Sequence, residues 1–385
     1  HFGMSVNIMH NTSSDTFCPA KWQELVVNMG HQFVYGCCKS TPIDFCKDNI
    51  NDLPAMLSKE KENLLNGVKD SSCDYCWDVE KNGGQSLRHR KLVEWNGNLA
   101  IELLELNVGN LCNLSCSYCN PSFSSKWAKD IRTETYPIFT DKGHYGLTST
   151  LQRDYNVSDM VELFRLINPT KMVRFIGGET LINKKVIKLI NELEFNNFHI
   201  KIATNMCFYE NVHDTIAKLA KNNHVWFGAS LDCYNSNISS FIRYGLDWDL
   251  WQKNLDFILK NTDATVEILT LLTAHTIWDL DNLYNYILEL HEQYPGRIDW
   301  DVSFCNSPKI NSFNVLNPKE QQQASELLES VISKNIFGDV GLEIVLGNLK
   351  QCKFKRIIRK EQSEFIKEFA KRRNTLIPKE LEFLI

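Results

Sequence analysis

The sequence predicts an α/β fold made of repeated strand–helix units, and two observations lead to this prediction. Short apolar runs typical of strands follow one another from residue 99, at 99–108, 172–176, 198–203, 225–231, 266–272 and 298–304. Amphipathic segments with helical spacing lie between them, at 158–167, 184–194, 213–221, 249–261 and 279–292. Alternation of this kind is typical of parallel β/α units whose strands are buried on both faces.

The two ends of the chain differ from this alternating middle. Residues 11–90 show little periodicity apart from a helix predicted over 52–68, and the chain after about residue 310 reads as helices. We therefore predict an N-terminal cysteine-rich domain (1–95), an α/β domain (96–310) and a C-terminal helical region (311–385). The basic stretch Lys350–Lys360 is predicted to form one amphipathic helix with a solvated face, with contact to phosphate or an acidic peptide as the alternative.

Composition and charge exclude several classes of protein. The 385 residues carry a net charge of -5, with 43% hydrophobic and 23% charged residues, as in an ordinary globular protein. This charge gives no bulk attraction to nucleic acid or to an anionic membrane, so a nucleic-acid partner is not favoured. Because no apolar run reaches the ~18 residues of a membrane span and no secretory signal pattern opens the chain, we expect a cytoplasmic protein without a membrane partner.

Cysteine is the unusual component of the sequence. There are 13 cysteines, and nine of them precede residue 120. A disulfide framework is typical of secreted proteins, so it is the weaker interpretation here. Clustered thiols in a reducing compartment usually indicate a metal site.

One cysteine group has the spacing C-x3-C-x2-C and consists of Cys112, Cys116 and Cys119, with Tyr118 directly before the third thiol. Three thiolates on one short loop can hold three irons of a [4Fe–4S] cluster and leave the fourth iron open. The loop follows the first apolar run, so it is predicted at the C-terminal end of a strand, which is the functional face of a β/α barrel. The alternative is a structural zinc loop, but zinc sites usually use C-x2-C pairs and need a fourth protein ligand.

This loop resembles that of the radical S-adenosylmethionine (SAM) superfamily. The resemblance implies a partial (β/α)6 TIM-like barrel of about six strands, with a small N-terminal cluster-binding domain and C-terminal helices. It also implies that the open iron binds S-adenosylmethionine, and that an electron from the cluster cleaves it to a 5′-deoxyadenosyl radical. That radical abstracts hydrogen from a substrate C–H bond.

Further motifs fall in the order that this family shows. Gly177, Gly178 and Glu179 follow the second apolar run, and the resemblance implies that their backbone meets the methionine amine. The other positions that the resemblance assigns to S-adenosylmethionine are Tyr118, Asn205, Ser230, Asp232 and Arg243. Arg243 is expected to pair with the methionine carboxylate, since a guanidinium can form two charge-assisted hydrogen bonds with it; a surface cation is the alternative.

A second cysteine group lies upstream and supplies four candidate ligands, Cys18, Cys37, Cys73 and Cys76. Four thiolates close a tetrahedral site, and composition alone does not choose between zinc and [4Fe–4S]. Adjacent residues of an extended segment point to opposite faces, which favours only one of the vicinal pair, Cys37 over Cys38; Cys46 could replace either.

The upstream group is similar to the auxiliary-cluster region of superfamily members with a twitch or SPASM-like domain. The residues that carry this similarity are Cys18-Pro19 with Trp22, the vicinal cysteines, the C-x2-C pair, and Ser124-Ser125 with Trp127 after the radical loop. The resemblance implies an auxiliary [4Fe–4S] cluster. A purely structural metal is the competing interpretation.

Residues that act directly on the substrate are harder to assign. Cys233 and Cys305 end predicted strands and could return a hydrogen atom to a substrate radical, but a free cysteine is more often a small buried hydrophobe. Asp232, Glu267 and Asp301 are candidate bases, although acidic residues near strand ends are common.

The sequence therefore predicts a radical SAM enzyme with S-adenosylmethionine and two [4Fe–4S] clusters, served by an electron donor such as flavodoxin or ferredoxin. The expected reaction is oxidation, rearrangement or epimerisation of a peptide. A nucleotide, nucleic-acid or small-molecule substrate is the first alternative. A non-catalytic zinc-binding scaffold on a degenerate barrel is the second.

Overall fold

The computed structural model describes residues 14–45, 47–131, 136, 138, 140, 143–145 and 152–385. The strands are β1 (Glu24–Asn28), β2 (Phe33–Tyr35), β3 (Ile43–Asp44), β4 (Leu103–Asn107), β5 (Ser115–Cys116), β6 (Met172–Ile176), β7 (His199–Thr204), β8 (His224–Ser230), β9 (Arg243–Tyr244), β10 (Thr265–Leu272) and β11 (Ile298–Phe304). The α-helices are α1 (Ala20–Gln23), α2 (Leu53–Leu65), α3 (Asp74–Lys81), α4 (Leu87–Glu94), α5 (Ser125–Asp130), α6 (Val157–Ile167), α7 (Lys184–Leu193), α8 (His213–Asn222), α9 (Ser236–Ile242), α10 (Trp248–Asn261), α11 (Leu280–Gln293), α12 (Pro318–Lys334), α13 (Leu342–Gln351) and α14 (Arg356–Arg373).

The predicted α/β fold is confirmed. Each predicted apolar run contains a strand, and these six strands are parallel neighbours in the order β11-β10-β8-β7-β6-β4. Helices α6, α7, α8, α10 and α11 occupy the predicted amphipathic segments, and α2 occupies the predicted helix at 52–68. A mostly parallel sheet with surrounding helices is consistent with a partial TIM-like barrel.

The N-terminal region extends the same sheet, which the sequence did not indicate. β1 pairs in parallel with β4, in a register that places Asn28 beside Asn107, and β2 and β3 follow antiparallel. These strands are two to five residues long, too short to give a clear period of two. The boundary at residues 95 and 96 stays a prediction.

The prediction of one helix over Lys350–Lys360 is wrong. Helix α13 ends at Gln351 and α14 begins at Arg356, and extended backbone separates them. The Lys355 N–H donates to the carbonyl of Asn314 (2.9 Å), so a tertiary hydrogen bond replaces the one that a continuous helix would make. The basic side chains are therefore divided between two elements.

The two faces of the parallel strands differ in polarity. One set of alternate residues packs into the main hydrophobic core with the helices. The opposite set, which we call the open face, is less buried and carries Glu105, Arg174, Lys201, Glu267 and Asp301. Arg174 Nη1 lies 3.1 Å from Glu105 Oε2, and Lys201 pairs with Glu267. Charged side chains therefore cover the face of the sheet opposite the main hydrophobic core.

None of the helices in the described part of the chain combines the length and the hydropathy that crossing a membrane requires.

A buried histidine gives one pH-dependent prediction. His275 is 1% exposed, and burial lowers its pKa to about 3, with a contribution from Arg359. Since the unfolded chain binds a proton near pH 6.5 and the folded chain does not, this residue's contribution is present above that pH and is lost as the pH falls. Between pH 7 and 5.5, we expect the wild type to lose about 1 kcal/mol more unfolding free energy than a His275→Leu variant does. Urea titrations at the two pH values measure this, and equal losses would contradict the assignment.

Candidate functional site

The radical loop, residues 112–119, lies at the C-terminal edge of the parallel sheet, just beyond β4. Within it, β5 pairs antiparallel with β9, so that Cys116 lies opposite Arg243. The Trp127 indole N–H donates to the Cys116 carbonyl (2.8 Å), and Ser124 Oγ donates to the Leu114 carbonyl (2.6 Å). The loop is thus fixed from two sides before any cofactor binds.

The three thiols of this loop differ in exposure. Cys116 is buried, whereas Cys112 and Cys119 are half-buried. Burial raises the pKa of all three, that of Cys112 to about 12, so the thiols are neutral in the protein alone. The Leu114 N–H already donates to Cys112 Sγ (3.4 Å), a contact that favours a thiolate. Since ligation requires thiolates, cluster assembly would release protons.

Gly177 and Gly178 bring the end of β6 against the backbone that leads into the radical loop. Gly178 N donates to the Gly109 carbonyl (2.8 Å) and Glu179 N to the Leu111 carbonyl (2.7 Å). A Cβ on Gly178 would lie 2.4 Å from Leu111 O, and Gly177 has φ +141°. The chain's own backbone contacts therefore require glycine here, whether or not a ligand also approaches.

Glu179 and Asn205 connect the ends of β6 and β7 with the radical loop. Glu179 is fully buried and accepts hydrogen bonds from Leu181 N (3.0 Å), Thr204 Oγ1 (2.8 Å) and Asn205 N (2.5 Å). Burial raises the pKa of its carboxyl, while these hydrogen bonds oppose the shift. Asn205 Nδ2 donates to Asn113 Oδ1 (2.8 Å) and lies 3.9 Å from Cys112 Sγ. The side chain of Asn205, a residue assigned to S-adenosylmethionine, therefore lies close to a thiol of the radical loop.

Tyr118, Asp232 and Arg243 form one buried hydrogen-bonded group. Arg243 Nη1 donates to Tyr118 Oη (2.7 Å) and to Asp232 Oδ2 (3.1 Å), and Tyr118 Oη donates to the same carboxylate oxygen (2.5 Å). The other Asp232 oxygen accepts from Leu271 N (3.0 Å). Ser230 ends β8 and is half-buried. This group fixes the aromatic ring of the radical loop to the segment that follows β8 and to the start of β9. The expected pairing of Arg243 with a methionine carboxylate stays a prediction.

Removing the arginine should therefore affect stability as well as S-adenosylmethionine binding. Arg243→Ala leaves the buried Asp232 carboxylate without its cation, and we expect a loss of about 3–5 kcal/mol in unfolding free energy. Adding Asp232→Asn to Arg243→Ala should recover part of that loss. Arg243→Lys should be more stable than Arg243→Ala but less stable than the wild type, because an ammonium does not reproduce the geometry of the guanidinium. Urea unfolding of these three variants and of the single Asp232→Asn variant measures this. Additive effects of the two single changes would contradict the pairing.

The two candidate hydrogen donors are packed inside the protein. Cys233 and Cys305 are 0% and 3% exposed. Cys233 Sγ lies 4.0 Å from the carbonyl of Asn235, and Cys305 Sγ donates to that of Ser307 (3.4 Å). Burial raises the pKa of Cys233 well above its ordinary value. This placement favours the interpretation of both as buried thiols, and a hydrogen-donor role stays a prediction.

Comparison with known proteins agrees with this geometry. Residues 106–287 match the model of the Radical SAM superfamily. These residues are similar to a radical SAM domain. The match begins within β4 and includes the radical loop, Gly177–Glu179, Asn205, Ser230, Asp232 and Arg243. No curated protein matches the chain.

Two solved structures are similar to parts of this chain. anSMEcpe with bound AdoMet (S-adenosylmethionine) is 20% identical, with 60% of this chain and 59% of that chain covered and a TM-score of 0.38. Streptococcus suis SuiB bound to precursor peptide SuiA is 14% identical, with coverages of 87% and 76% and a TM-score of 0.42. This chain thus spans less than two thirds of the length of anSMEcpe.

Upstream of residues 106–287, four cysteines line a single pocket. Cys18, Cys37, Cys73 and Cys76 share it with Lys39 and Arg88 among others, and we call it the thiol pocket. Cys38, in contrast, is exposed and lines a different cavity, described below. The two thiols thus lie in different cavities, but the segment is a turn, closed by Ser40 N donating to the Cys37 carbonyl (3.0 Å), and not the extended backbone that was expected. Cys46 lies outside the described residues.

A buried cation lies beside the thiol pocket, and sequence reasoning missed it. Lys21 is 2% exposed, pairs with Glu60 and donates to Ser72 Oγ (3.1 Å). That hydroxyl lies 3.8 Å from Cys73 Sγ. The pKa of Lys21 is raised. Burial acts against this shift, but the negative charges of Cys73 and Glu60 outweigh the effect of burial. A set of four thiolates carries several negative charges, and a fixed ammonium beside it lowers their electrostatic cost.

The thiol pocket and the radical loop lie at opposite ends of the parallel strands β1 and β4. Cys18 precedes β1 and Cys37 follows the antiparallel β2, so both lie where β1 begins. The radical loop lies where β4 ends. Within the described part of the chain, no three His, Cys, Asp or Glu side chains converge as ligands of a single metal ion. A cubane cluster spaces its thiolates more widely than one ion does.

Proposed function

We propose that the chain is a radical SAM enzyme. The observation that carries this proposal is the radical loop, which a radical SAM domain places beside Gly177–Glu179 and Asn205 at one edge of a parallel sheet. Its three thiols suit a [4Fe–4S] cluster with one open iron. When bound, such a cluster supplies the electron that cleaves S-adenosylmethionine to the 5′-deoxyadenosyl radical.

The chain's own residues would hold and orient the cofactors. Cys112, Cys116 and Cys119 would ligate the cluster, while the hydrogen bonds of Trp127 and Ser124 keep their loop in place. Asn205, whose Nδ2 lies 3.9 Å from Cys112 Sγ, would stand beside the thiol that ligates the cluster. The charged open face would meet the substrate.

We further propose an auxiliary [4Fe–4S] cluster in the thiol pocket. Four thiols that line one pocket, with Lys21 beside Cys73, support it. A cluster there would tie together three separate segments of the chain, those of Cys18, Cys37 and the Cys73–Cys76 pair. A twitch or SPASM-like relationship, an electron donor of the flavodoxin or ferredoxin type and a cytoplasmic location belong to the same proposal.

Assay of the reconstituted protein tests this function. Anaerobically prepared protein, reduced with dithionite, should be brown and should convert S-adenosylmethionine to 5′-deoxyadenosine and methionine. The matched control is Cys352→Ala, which removes a half-buried thiol at the end of α13 and should leave cleavage unchanged. A colourless protein that contains zinc, lacks iron and sulfide, and forms no 5′-deoxyadenosine would instead indicate the scaffold.

A further inference from the structure

A cavity of about 460 Å³ lies on the open face, beside β1, β2 and β4. We call it the cross-strand pocket; its volume falls in the range of small-ligand sites. Asn28 and Asn107 line its floor, Phe33, Tyr35 and Phe123 supply aromatic surface, and Cys38 lies at its edge. None of the assignments above uses this cavity.

The cross-strand pocket extends between the two cysteine sites. Phe123 follows the radical loop by four residues, and Cys38 adjoins Cys37 of the thiol pocket. Between them run β1 and β4, each of five residues, which corresponds to about 16 Å. A ligand lying along these strands would therefore have one end near the radical loop and the other near the thiol pocket.

The floor of the pocket presents two parallel amide donors. Asn28 and Asn107 are in register on neighbouring strands. Their side-chain oxygens already accept hydrogen bonds from His31 N (2.9 Å) and Gly109 N (3.1 Å). Neither Nδ2 group has a hydrogen-bond partner among the described residues, so both are available to the pocket. Adjacent donors of this kind suit carbonyl oxygens.

The other residues that line the pocket favour a peptide over a ligand that carries a phosphate group. Phe33, Tyr35 and Phe123 offer aromatic surface for an apolar side chain. Among the described residues that line the pocket there is no lysine or arginine, and Glu105 is already paired with Arg174. Apart from His31, whose pKa is lowered by burial and by Arg153, the lining offers a phosphate group no cationic side chain, whereas a peptide needs only carbonyl recognition and an apolar surface.

We propose that the cross-strand pocket binds a peptide substrate, with Asn28 and Asn107 as the positioning residues for its backbone carbonyls. This proposal rests on the proposed radical SAM function and names the substrate class of that site. The bound peptide would lie along β1 and β4, with an apolar side chain against the aromatic rings.

The test uses a double variant that keeps the local backbone contacts. Asn28→Asp combined with Asn107→Asp retains the oxygens that accept from His31 and Gly109 but replaces both donors with carboxylates. The probes are a pool of short capped peptides of uncharged residues and, separately, a pool of nucleoside monophosphates. The readouts are the rate of 5′-deoxyadenosine formation and the mass of the recovered probe.

For the wild type, we expect the peptide pool to accelerate 5′-deoxyadenosine formation and to yield peptides of altered mass. The double variant should need about tenfold or more peptide for half-maximal acceleration, since two hydrogen bonds are lost. Asn317→Asp is the matched control, because its Oδ1 also accepts a backbone hydrogen bond (Lys319 N, 3.0 Å), at the start of α12, and its Nδ2 has no hydrogen-bond partner among the described residues. It should behave as the wild type does.

Phe123→Ala provides a second test that stands even if the double variant misfolds. Phe123 is 47% exposed, so removing its ring leaves no cavity in the core. This variant should bind peptides with large apolar side chains more weakly. Unchanged peptide dependence in both variants, or acceleration by nucleotides alone, would overturn the peptide assignment. A wild type that forms no 5′-deoxyadenosine under any condition would instead refute the proposed function.

Discussion

Replacing Cys112, Cys116 and Cys119 together with alanine is expected to remove about half of the iron, roughly four atoms per chain, and to abolish cleavage of S-adenosylmethionine. These three thiols lie on one loop, and the thiol pocket at the other end of the sheet is independent of them. The folded chain should survive, because β5–β9 pairing and the Trp127 contact use backbone groups of the loop. Iron and sulfide analysis and product chromatography measure both effects.

Two outcomes distinguish this prediction from its alternatives. Cys352→Ala, with a thiol outside both cysteine groups, should retain all the iron and full cleavage. Full cleavage of S-adenosylmethionine by the triple variant would show that the radical loop does not hold the cluster that cleaves it.

Replacing Cys73 and Cys76 with serine is expected to remove the other half of the iron and to destabilise the N-terminal region. Cys73 immediately precedes α3 and Cys76 lies in its first turn, while Cys18 and Cys37 come from chain segments on either side of β1 and β2. Metal ligation would join these segments, so that metal binding and folding are coupled there. Hydrogen exchange should increase over 14–95 and should change little in the helices that cover β6 to β11.

Cys38→Ser is the matched control for this second prediction. Its thiol adjoins Cys37 in sequence but is exposed and lies outside the thiol pocket, so the iron content should not change. Loss of iron in Cys38→Ser, or full iron and a normal melting curve in the Cys73/Cys76 variant, would show that the ligands are assigned incorrectly.

The α/β architecture could be predicted because the six parallel strands β4, β6, β7, β8, β10 and β11 are compact apolar runs that alternate with amphipathic segments. β1 could not, since five residues of mixed polarity acquire their place only by pairing with β4, which is distant in sequence. The break between α13 and α14 likewise depends on a bond from Lys355 to Asn314. Tertiary contacts, which leave no local periodicity, decided each of these features.

The candidate site likewise combines local motifs with arrangements that only tertiary contacts create. The radical loop and Gly177–Glu179 are local motifs, so both can be proposed from the sequence alone. The arrangement of Arg243 with Asp232 and Tyr118 joins three separate segments, and no local pattern indicates it. Asn28 and Asn107 are two unremarkable asparagines until the register of β1 and β4 places them side by side.

Electron paramagnetic resonance of the reduced protein tests the central claim most directly, because it reports whether S-adenosylmethionine meets an open iron at the radical loop. We predict that adding S-adenosylmethionine to the reduced Cys73/Cys76 variant, which retains only the radical-loop cluster, shifts the whole [4Fe–4S] signal. In the triple variant of Cys112, Cys116 and Cys119, the remaining signal should not respond. A signal that is unchanged by S-adenosylmethionine in both the wild type and the Cys73/Cys76 variant would contradict the account.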